Sequence, residues 1–366
     1  MIKTLFDNFS PEDYYIVCLF FAFVIAFIIA NKTFPTVLYI AKHKQLMDEP
    51  DARSLHSNKT PTLGGISIFF SLIVVMTLAG GFLNSKVLLL LMGGLTILFF
   101  LGLKDDLTTL SPGKKLAGQI LAAGLLIVFT DTRIIGFSHI LDINVLPYGL
   151  SIVFTLFVYV LIINAYNLID GVDGLAGTIA LTISGVFVFL FINGNDLSLA
   201  TVAIALCGAL IAFLRWNFSI KNKIFMGDTG SMIVGFLLAF FTISFINMVQ
   251  KDPGSIYYSA SPALALALLF YPLVDTFRIF FVRIIIHRKS PFKPDKNHIH
   301  HRFIAMGLSH MATTLTIVAI NLIIICIAFN LLSYNLNDQI LCLLIYGTAL
   351  YYLPFVVKKL TQNHVL

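Results

Sequence analysis

Apolar runs of helix-crossing length, separated by short polar clusters, follow one another along almost the whole chain. A membrane-spanning helix needs about 20 mostly apolar residues. Eleven stretches meet that length: 14–34, 64–81, 86–103, 115–130, 148–164, 175–193, 197–214, 231–249, 260–285, 312–332 and 337–357. Three of them are short, so ten is the other count the pattern allows. The pattern predicts an all-α fold, a polytopic membrane bundle of about 11 transmembrane helices, as a single domain over residues 1–366. Segment 131–147 has ordinary turn residues and reads as a connection with room for a hairpin.

Composition sharpens this picture. The chain is 58% hydrophobic and 11% charged, with a mean hydropathy of +0.92, whereas a soluble domain is about half apolar and a quarter charged. The four cysteines, Cys18, Cys207, Cys326 and Cys342, lie in apolar stretches without a C-x-x-C spacing. They suggest neither disulfides nor a thiolate metal site. The start of the chain has Asp7, Glu12 and Asp13 but only Lys3. It lacks the basic start of a cleaved signal, so the first span is expected to be retained. The net charge is +6, yet no basic run interleaved with aromatics lies outside the spans, which argues against nucleic acid.

The placement of the charge sets an orientation. Loops 41–63, 104–115, 215–230 and 286–311 with the tail 358–366 hold seventeen Lys and Arg, against four (Lys3, Lys86, Arg133 and Lys251) in the alternate set. Basic loops stay on the cytoplasmic side, so the pattern predicts an outside N-terminus and an inside C-terminus. The polar clusters lie on that same predicted side: Asp48–His56 and Pro61–Gly65, Asp105-Asp106 with Lys114-Lys115, Asn164–Gly174, Phe225–Ser231, and Pro291–Arg302. Such segregation predicts one composite site on the inner membrane face.

Each cluster has chemistry to offer. Asn164, Asn167, Asp170 and Asp173 recur every three residues between apolar flanks. A helix cap and a turn would need one such side chain, not four, whereas oxygen ligands in membrane-forming sequence suit Mg2+ shared with phosphates. Adjacent Asp105 and Asp106 repel unless a cation or proton lies between them, so one is a candidate base or metal-site group. Asp228, in Gly227-Asp-Thr-Gly230-Ser231, opens a helix and is either its cap or a metal ligand beside a bound phosphate. Asp295, His298, His300 and His301 lack the spacing of a closed zinc site. With Arg302 they are candidates for holding phosphate or nucleotide. Arg53 and His56, in a proline-bounded loop, and Lys114 are further binding candidates, although lysines here also serve as positive-inside anchors. Asp275 and Arg278 follow Pro272 in the ninth span. They either neutralise each other at a kink or mark a break that carries a helix end to the active face.

Taken in order, these clusters resemble those of the polyprenyl-phosphate N-acetylhexosamine-1-phosphate transferases, the superfamily classed as glycosyltransferase family 4. The carriers are Asp105-Asp106; Asn164-x-x-Asn167-x-x-Asp170-Gly-x-Asp173-Gly-Leu-Ala; Met226-Gly-Asp228-x-Gly-Ser231; and Pro291-Phe-x-x-Asp295-x-x-His298-x-His300-His301, within residues 48–302. The histidine form looks like the branch that uses UDP-GlcNAc or a related UDP-HexNAc, and lacks the longer form expected of phospho-N-acetylmuramoyl-pentapeptide transferases. The resemblance implies transfer of HexNAc-1-phosphate from a UDP-sugar to undecaprenyl phosphate, releasing UMP and initiating a cell-surface glycan such as a lipopolysaccharide. It implies Mg2+, or Mn2+ in its place, on Asn167 and Asp228, with Asp105, Asp106, Asp170 and Asp173 catalytic. It implies substrate binding by Arg53, His56, Lys114, Asn164, Asp295, His298, His300, His301 and Arg302. It places the protein in the bacterial cytoplasmic membrane and makes a homodimer an expectation. The rival enzyme readings are phospho-MurNAc-pentapeptide transfer and a UbiA-like prenyltransferase. A transporter would need a second broken helix to pair with the one holding Asp275.

Overall fold

A computed structural model describes residues 14–46, 60–83, 85–137, 145–252, 254–286, 288 and 297–363. Thirteen α-helices and no strand are found among them. The helices are α1 (Tyr15–His43), α2 (Gly64–Leu83), α3 (Lys86–Thr108), α4 (Pro112–Thr130), α5 (Tyr148–Leu168), α6 (Leu175–Asn193), α7 (Leu197–Asn217), α8 (Gly227–Gln250), α9 (Ser261–Leu268), α10 (Phe270–Phe281), α11 (Ile299–Ala305), α12 (His310–Asn330) and α13 (Leu336–Asn363). Ten are long and apolar enough to cross a membrane, and α9 with the stretch Phe270–Ile286 makes an apolar pair bent by 77°, an eleventh when the pair is counted as one span. The eleven predicted stretches each fall on one of these.

The bundle is organised around α8. Its sequence from Ser231 to Val249 is apolar almost all round, and a helix without a polar stripe belongs inside. It is 94% buried in its spanning window and packs against α2, α3, α5 and α6. Helices α1 and α13 lie at the rim, with about a fifth of their windows buried, so their remaining apolar surface faces what surrounds the bundle.

Helix ends differ from the predicted spans where polar residues extend the helices. The third span runs on to Thr108, which puts Asp105 and Asp106 in its last turns rather than beyond it. Ser111 and Pro112 then start α4, Pro being suited to a first turn that needs no amide donor. The ninth span breaks at Leu269, before Pro272 rather than after it. Pro272 lies within the first turn of α10, where its missing N–H breaks no helical bond. The 131–147 connection shows a backbone bond from Leu146 N–H to the Ile135 carbonyl at 2.8 Å; residues 138–144 lie outside the described residues.

Candidate active site at one end of the bundle

Gly227 opens α8 with φ +73°, a conformation suited to glycine, and a Cβ there would meet the Thr62 carbonyl oxygen at 1.8 Å. The 61–65 segment backs this turn through three backbone bonds: Phe225 N–H to Pro61 O, Gly64 N–H to Phe225 O and Gly65 N–H to Met226 O, at 2.8–2.9 Å. Gly65 in turn admits the backbone of Gly230, whose nitrogen lies 2.1 Å from where a Cβ would be. The Pro61–Gly65 cluster is therefore the bed on which the Gly-Asp turn lies.

The end of α3 completes that turn. Asp106 accepts from the backbone N–H groups of Asp228 at 2.7 Å and Thr229 at 3.0 Å, and from the Thr229 hydroxyl. It caps α8 from another helix, placing negative charge at the positive end of the α8 dipole. Asp105, on the preceding position of α3, turns the other way. Its Oδ2 is 3.0 Å from Lys115 Nζ, and Oδ1 accepts from the Leu110 amide.

Lys115 is the centre of the site. Its ammonium lies 2.7 Å from Asp228 Oδ1, 3.0 Å from Asp105 and 3.5 Å from Asn167 Oδ1. Asn167, in the last turn of α5, donates from Nδ2 to Asp228 Oδ1 and to Ser231 Oγ, both at 2.6 Å. Asn164, one turn deeper, donates to Gln119 Oε1 of α4 at 2.9 Å. Asp170, beyond the helix end, is crowded by protein atoms although part of its surface reaches solvent. Its burial, then the Asp228 and Asp106 carboxylates, raise its pKa to about 7 against a pull from the Gly227 amide.

The three-residue spacing does not carry all four members of its motif to one place. Asp173 lies past the end of α5 and faces Lys223 at 2.6 Å and His310 at 3.0 Å, at the α7–α8 connection and the start of α12. Burial opposes its charge, but the His310 and Lys223 contacts outweigh it and hold the carboxyl below the usual range. The Thr314 hydroxyl donates to the Asp173 carbonyl, and the Gly174 amide donates to Asn217. This second cluster ties three connections together.

A third cluster is the histidine turn of α11. His298 Nδ1 is 2.7 Å from Asp275 of α10, and His300 Nδ1 is 3.0 Å from the Tyr271 hydroxyl. The His300 ring is buried, which lowers its pKa to about 3 and keeps it neutral, with Asp275 pulling the other way. Its Nε2 approaches Gly171, where an added Cβ would lie 3.5 Å away. The histidine turn and the Asp170–Asp173 loop are thus neighbours. The alternative left open for Asp275 and Arg278 resolves toward the break: the pair is 3.8 Å apart, but both reach the histidine turn.

Of the predicted site residues, the structure brings together Asp105, Asp106, Asn164, Asn167, Asp170 and Asp228, with His298, His300 and His301 next to them. Arg53, His56 and Asp295 lie outside the described residues. Lys114 is exposed, and its neighbour Lys115 enters the site instead. Arg302 turns away toward α13, its guanidinium 4.4 Å from the Phe355 ring centre and 5.8 Å from that of Tyr352. Lys115 was legible. The buried face of α4 contains Gln119, Ala122, Ala123 and Leu126, and a step of four back from Gln119 gives Lys115, not Lys114.

Among the described residues no three His, Cys, Asp or Glu side chains stand together as a metal shell. The donors at Asp228 still fit a magnesium ion, which is usually held by one or two carboxylates, waters and substrate phosphates. The Asp228 side chain is 33% exposed. A half-turn of the Asn167 amide replaces Nδ2 by Oδ1 beside it. Among the described residues Lys115 is the one cation within ion-pair reach of Asp105, Asp106, Asp170 or Asp228.

The family model described as Glycosyl transferase family 4 matches residues 88–246. A Bacillus subtilis protein described as a probable undecaprenyl-phosphate N-acetylglucosaminyl 1-phosphate transferase is 30% identical over 310 residues, 82% of this chain and 82% of its own. An undecaprenyl-phosphate alpha-N-acetylglucosaminyl 1-phosphate transferase of Thermotoga maritima is 32% identical over 81% of this chain and 83% of its own. A decaprenyl-phosphate N-acetylglucosaminephosphotransferase of Mycolicibacterium smegmatis is 33% identical over 73% of this chain and 71% of its own. The match spans α3 to α8, the helices that build the acidic cluster, and on this evidence the chain belongs to glycosyl transferase family 4.

Proposed function

We propose that the protein transfers GlcNAc-1-phosphate from UDP-GlcNAc to undecaprenyl phosphate, giving undecaprenyl-diphosphate-GlcNAc and UMP. The observation that carries the reading is the Lys115 cluster: a cation held between Asp105 and Asp228 at the polar end of a membrane bundle, with Asp106 and Asp170 beside them. An acceptor with its phosphate at the interface and its tail in lipid can meet a water-borne nucleotide sugar only at such a boundary. The names of the relatives support the GlcNAc donor and the polyprenyl acceptor. The seventeen-to-four bias of basic residues supports a cytosolic site and an outside N-terminus in a bacterial cytoplasmic membrane.

In this reading an oxygen of the lipid phosphate attacks the sugar-linked phosphorus, the bond to the UMP oxygen breaks, and UMP leaves with the electron pair. Catalysis of this kind is mainly positioning and charge stabilisation. Lys115 holds phosphate oxygens between Asp105 and Asp228. Asp170, whose charge is opposed by its neighbours, is the carboxyl suited to hold or take a proton at the acceptor near neutral pH. Asp106 fixes the α8 turn, and Asp173 closes the loop against Lys223 and His310. His298, His300 and His301 face the donor. Asp228 and Asn167 would hold Mg2+, which when bound supplies charge neutralisation on the diphosphate.

The test is a donor panel. Purified protein with undecaprenyl phosphate and Mg2+ is offered UDP-GlcNAc, UDP-GalNAc and UDP-MurNAc-pentapeptide, and UMP release is followed. UMP from UDP-GlcNAc that stops on chelation and returns with Mg2+ is the expected result. Release with the pentapeptide alone overturns the donor, and no release from any UDP-sugar by folded protein overturns the reaction.

A further inference from the structure

The broken ninth span does more than bend. One face of α10 presents Tyr271, Asp275 and Arg278, spaced i, i+4 and i+7, and each holds a different part of the segment that opens α11. The Tyr271 hydroxyl is 3.0 Å from His300 Nδ1. Asp275, fully buried, places Oδ2 2.7 Å from His298 Nδ1 and accepts the Ile299 backbone N–H on Oδ1 at 2.8 Å. Arg278 donates to the Asn297 carbonyl. The two imidazoles that result are nearly parallel, 8° apart with centroids separated by 5.3 Å. The α10 face is itself held: the Tyr271 amide donates to Asn321 of α12 at 3.2 Å, and the Tyr271 ring packs 5.6 Å from that of Tyr351 of α13.

A histidine's second partner fixes the ring's orientation and decides which nitrogen carries the proton at the other. Here both Nδ1 atoms are turned to α10. Both Nε2 atoms therefore face away from it, and that of His300 reaches the loop beside Asp170. A buried carboxylate with both oxygens committed to α11 is more than a self-neutralising kink needs.

We propose that Tyr271 and Asp275 are positioning residues that act through His300 and His298, presenting the two Nε2 atoms as a preformed pair to the nucleotide-sugar phosphates. The ligand named here rests on the proposed reaction; the positioning does not. Tyr271→Phe removes one oxygen and keeps the ring against Tyr351, so the fold is expected to survive. In full-length protein it should raise KM for UDP-GlcNAc about fivefold, the scale of one neutral hydrogen bond, with kcat and the acceptor KM within about twofold. In a His300→Ala background the same substitution should change nothing further, because a partner that acts only through the ring then has nothing to act on. Asp275→Asn paired with His298→Ala should behave in the same way.

An unchanged donor KM in Tyr271→Phe, or an equal loss with and without His300, overturns the proposal. Nitrogen-15 spectra of histidine-labelled protein test it without the reaction. Tyr271→Phe should shift the ring nitrogens of His300 and leave those of His310 in place, and unmoved His300 resonances overturn the positioning role whatever the substrate. A shifted His300 in protein that releases no UMP from any donor supports the positioning and overturns the reaction instead.

Discussion

The acidic centre and the histidine turn lie side by side and are built on opposite plans. In the histidine turn the polar contacts are provided from within. Asp275 and Tyr271 take both Nδ1 atoms, and the turn is complete before any ligand arrives. In the acidic centre, Lys115 pairs with Asp105 and Asp228, Asp106 is committed to the start of α8, and Asp170 stands near Asp228 and Asp106. Buried carboxylates without matching cations are costly, and among the described residues Lys115 is the one cation paired with them. The contrast separates a preorganised recognition surface from a centre that a cation and phosphates complete. It also predicts where substitutions will be felt most.

The largest effect is expected at Lys115. Lys115→Met keeps the stem and removes the ammonium, leaving Asp105 and Asp228 facing each other without it. Loss of a charge aimed at a reacting phosphate costs about a hundredfold or more in kcat, and UMP release under saturating substrates measures it. A variant that kept kcat within about threefold would show that the reaction does not pass through the acidic centre, and the comparison between the two halves would collapse.

A smaller loss, about tenfold in kcat, is expected for Asp106→Asn, on the scale of a lost charged cap. The amide retains one accepting oxygen where the carboxylate uses two for three donors. Its distinguishing readout is structural. Amide exchange at Asp228 and Thr229 should accelerate while that of the α11 turn stays unchanged. Unchanged exchange with lost activity would place Asp106 in the chemistry rather than in the cap.

Much of this arrangement was legible from the sequence because membrane helices write their lengths in apolar runs. Each predicted span falls on a long apolar helix or on the bent pair for that reason. The polar motifs found the acidic centre, since an Asp or Asn beside such runs is too costly to be idle. What was hidden depends on direction rather than composition. The Asn164–Asp173 spacing continues past the helix end at Leu168, so the helical phase that groups Asn164 with Asn167 no longer applies to Asp173. Lys114 and Lys115 differ only in which face of α4 they occupy. Asp275 and Arg278 left two readings open because their further partners, Asn297 to Ile299, are about twenty residues away in the chain.

The smallest effect is expected at Arg302, and it tests how far the recognition surface extends. Sequence position puts Arg302 beside the histidines, and a guanidinium there would suit a diphosphate. The structure gives it other work: it lies over Phe355 and near Tyr352, while Phe303 packs 4.8 Å from Phe355 and Lys358 donates to the Met306 carbonyl at 2.8 Å. These contacts moor α11 to α13 from behind the histidines. A cation over an aromatic face contributes about 0.5–1 kcal/mol where exposed, and Lys can replace part of it. Arg302→Lys is therefore expected to leave the donor KM within about twofold, and Arg302→Leu to raise it by no more than about fivefold. The double variant with Phe355→Leu should lose no more than Arg302→Leu alone. A donor KM raised a hundredfold by Arg302→Lys would mean that the guanidinium leaves α13 to grip phosphate, and that the histidine half, like the acidic half, is finished only when its ligand arrives.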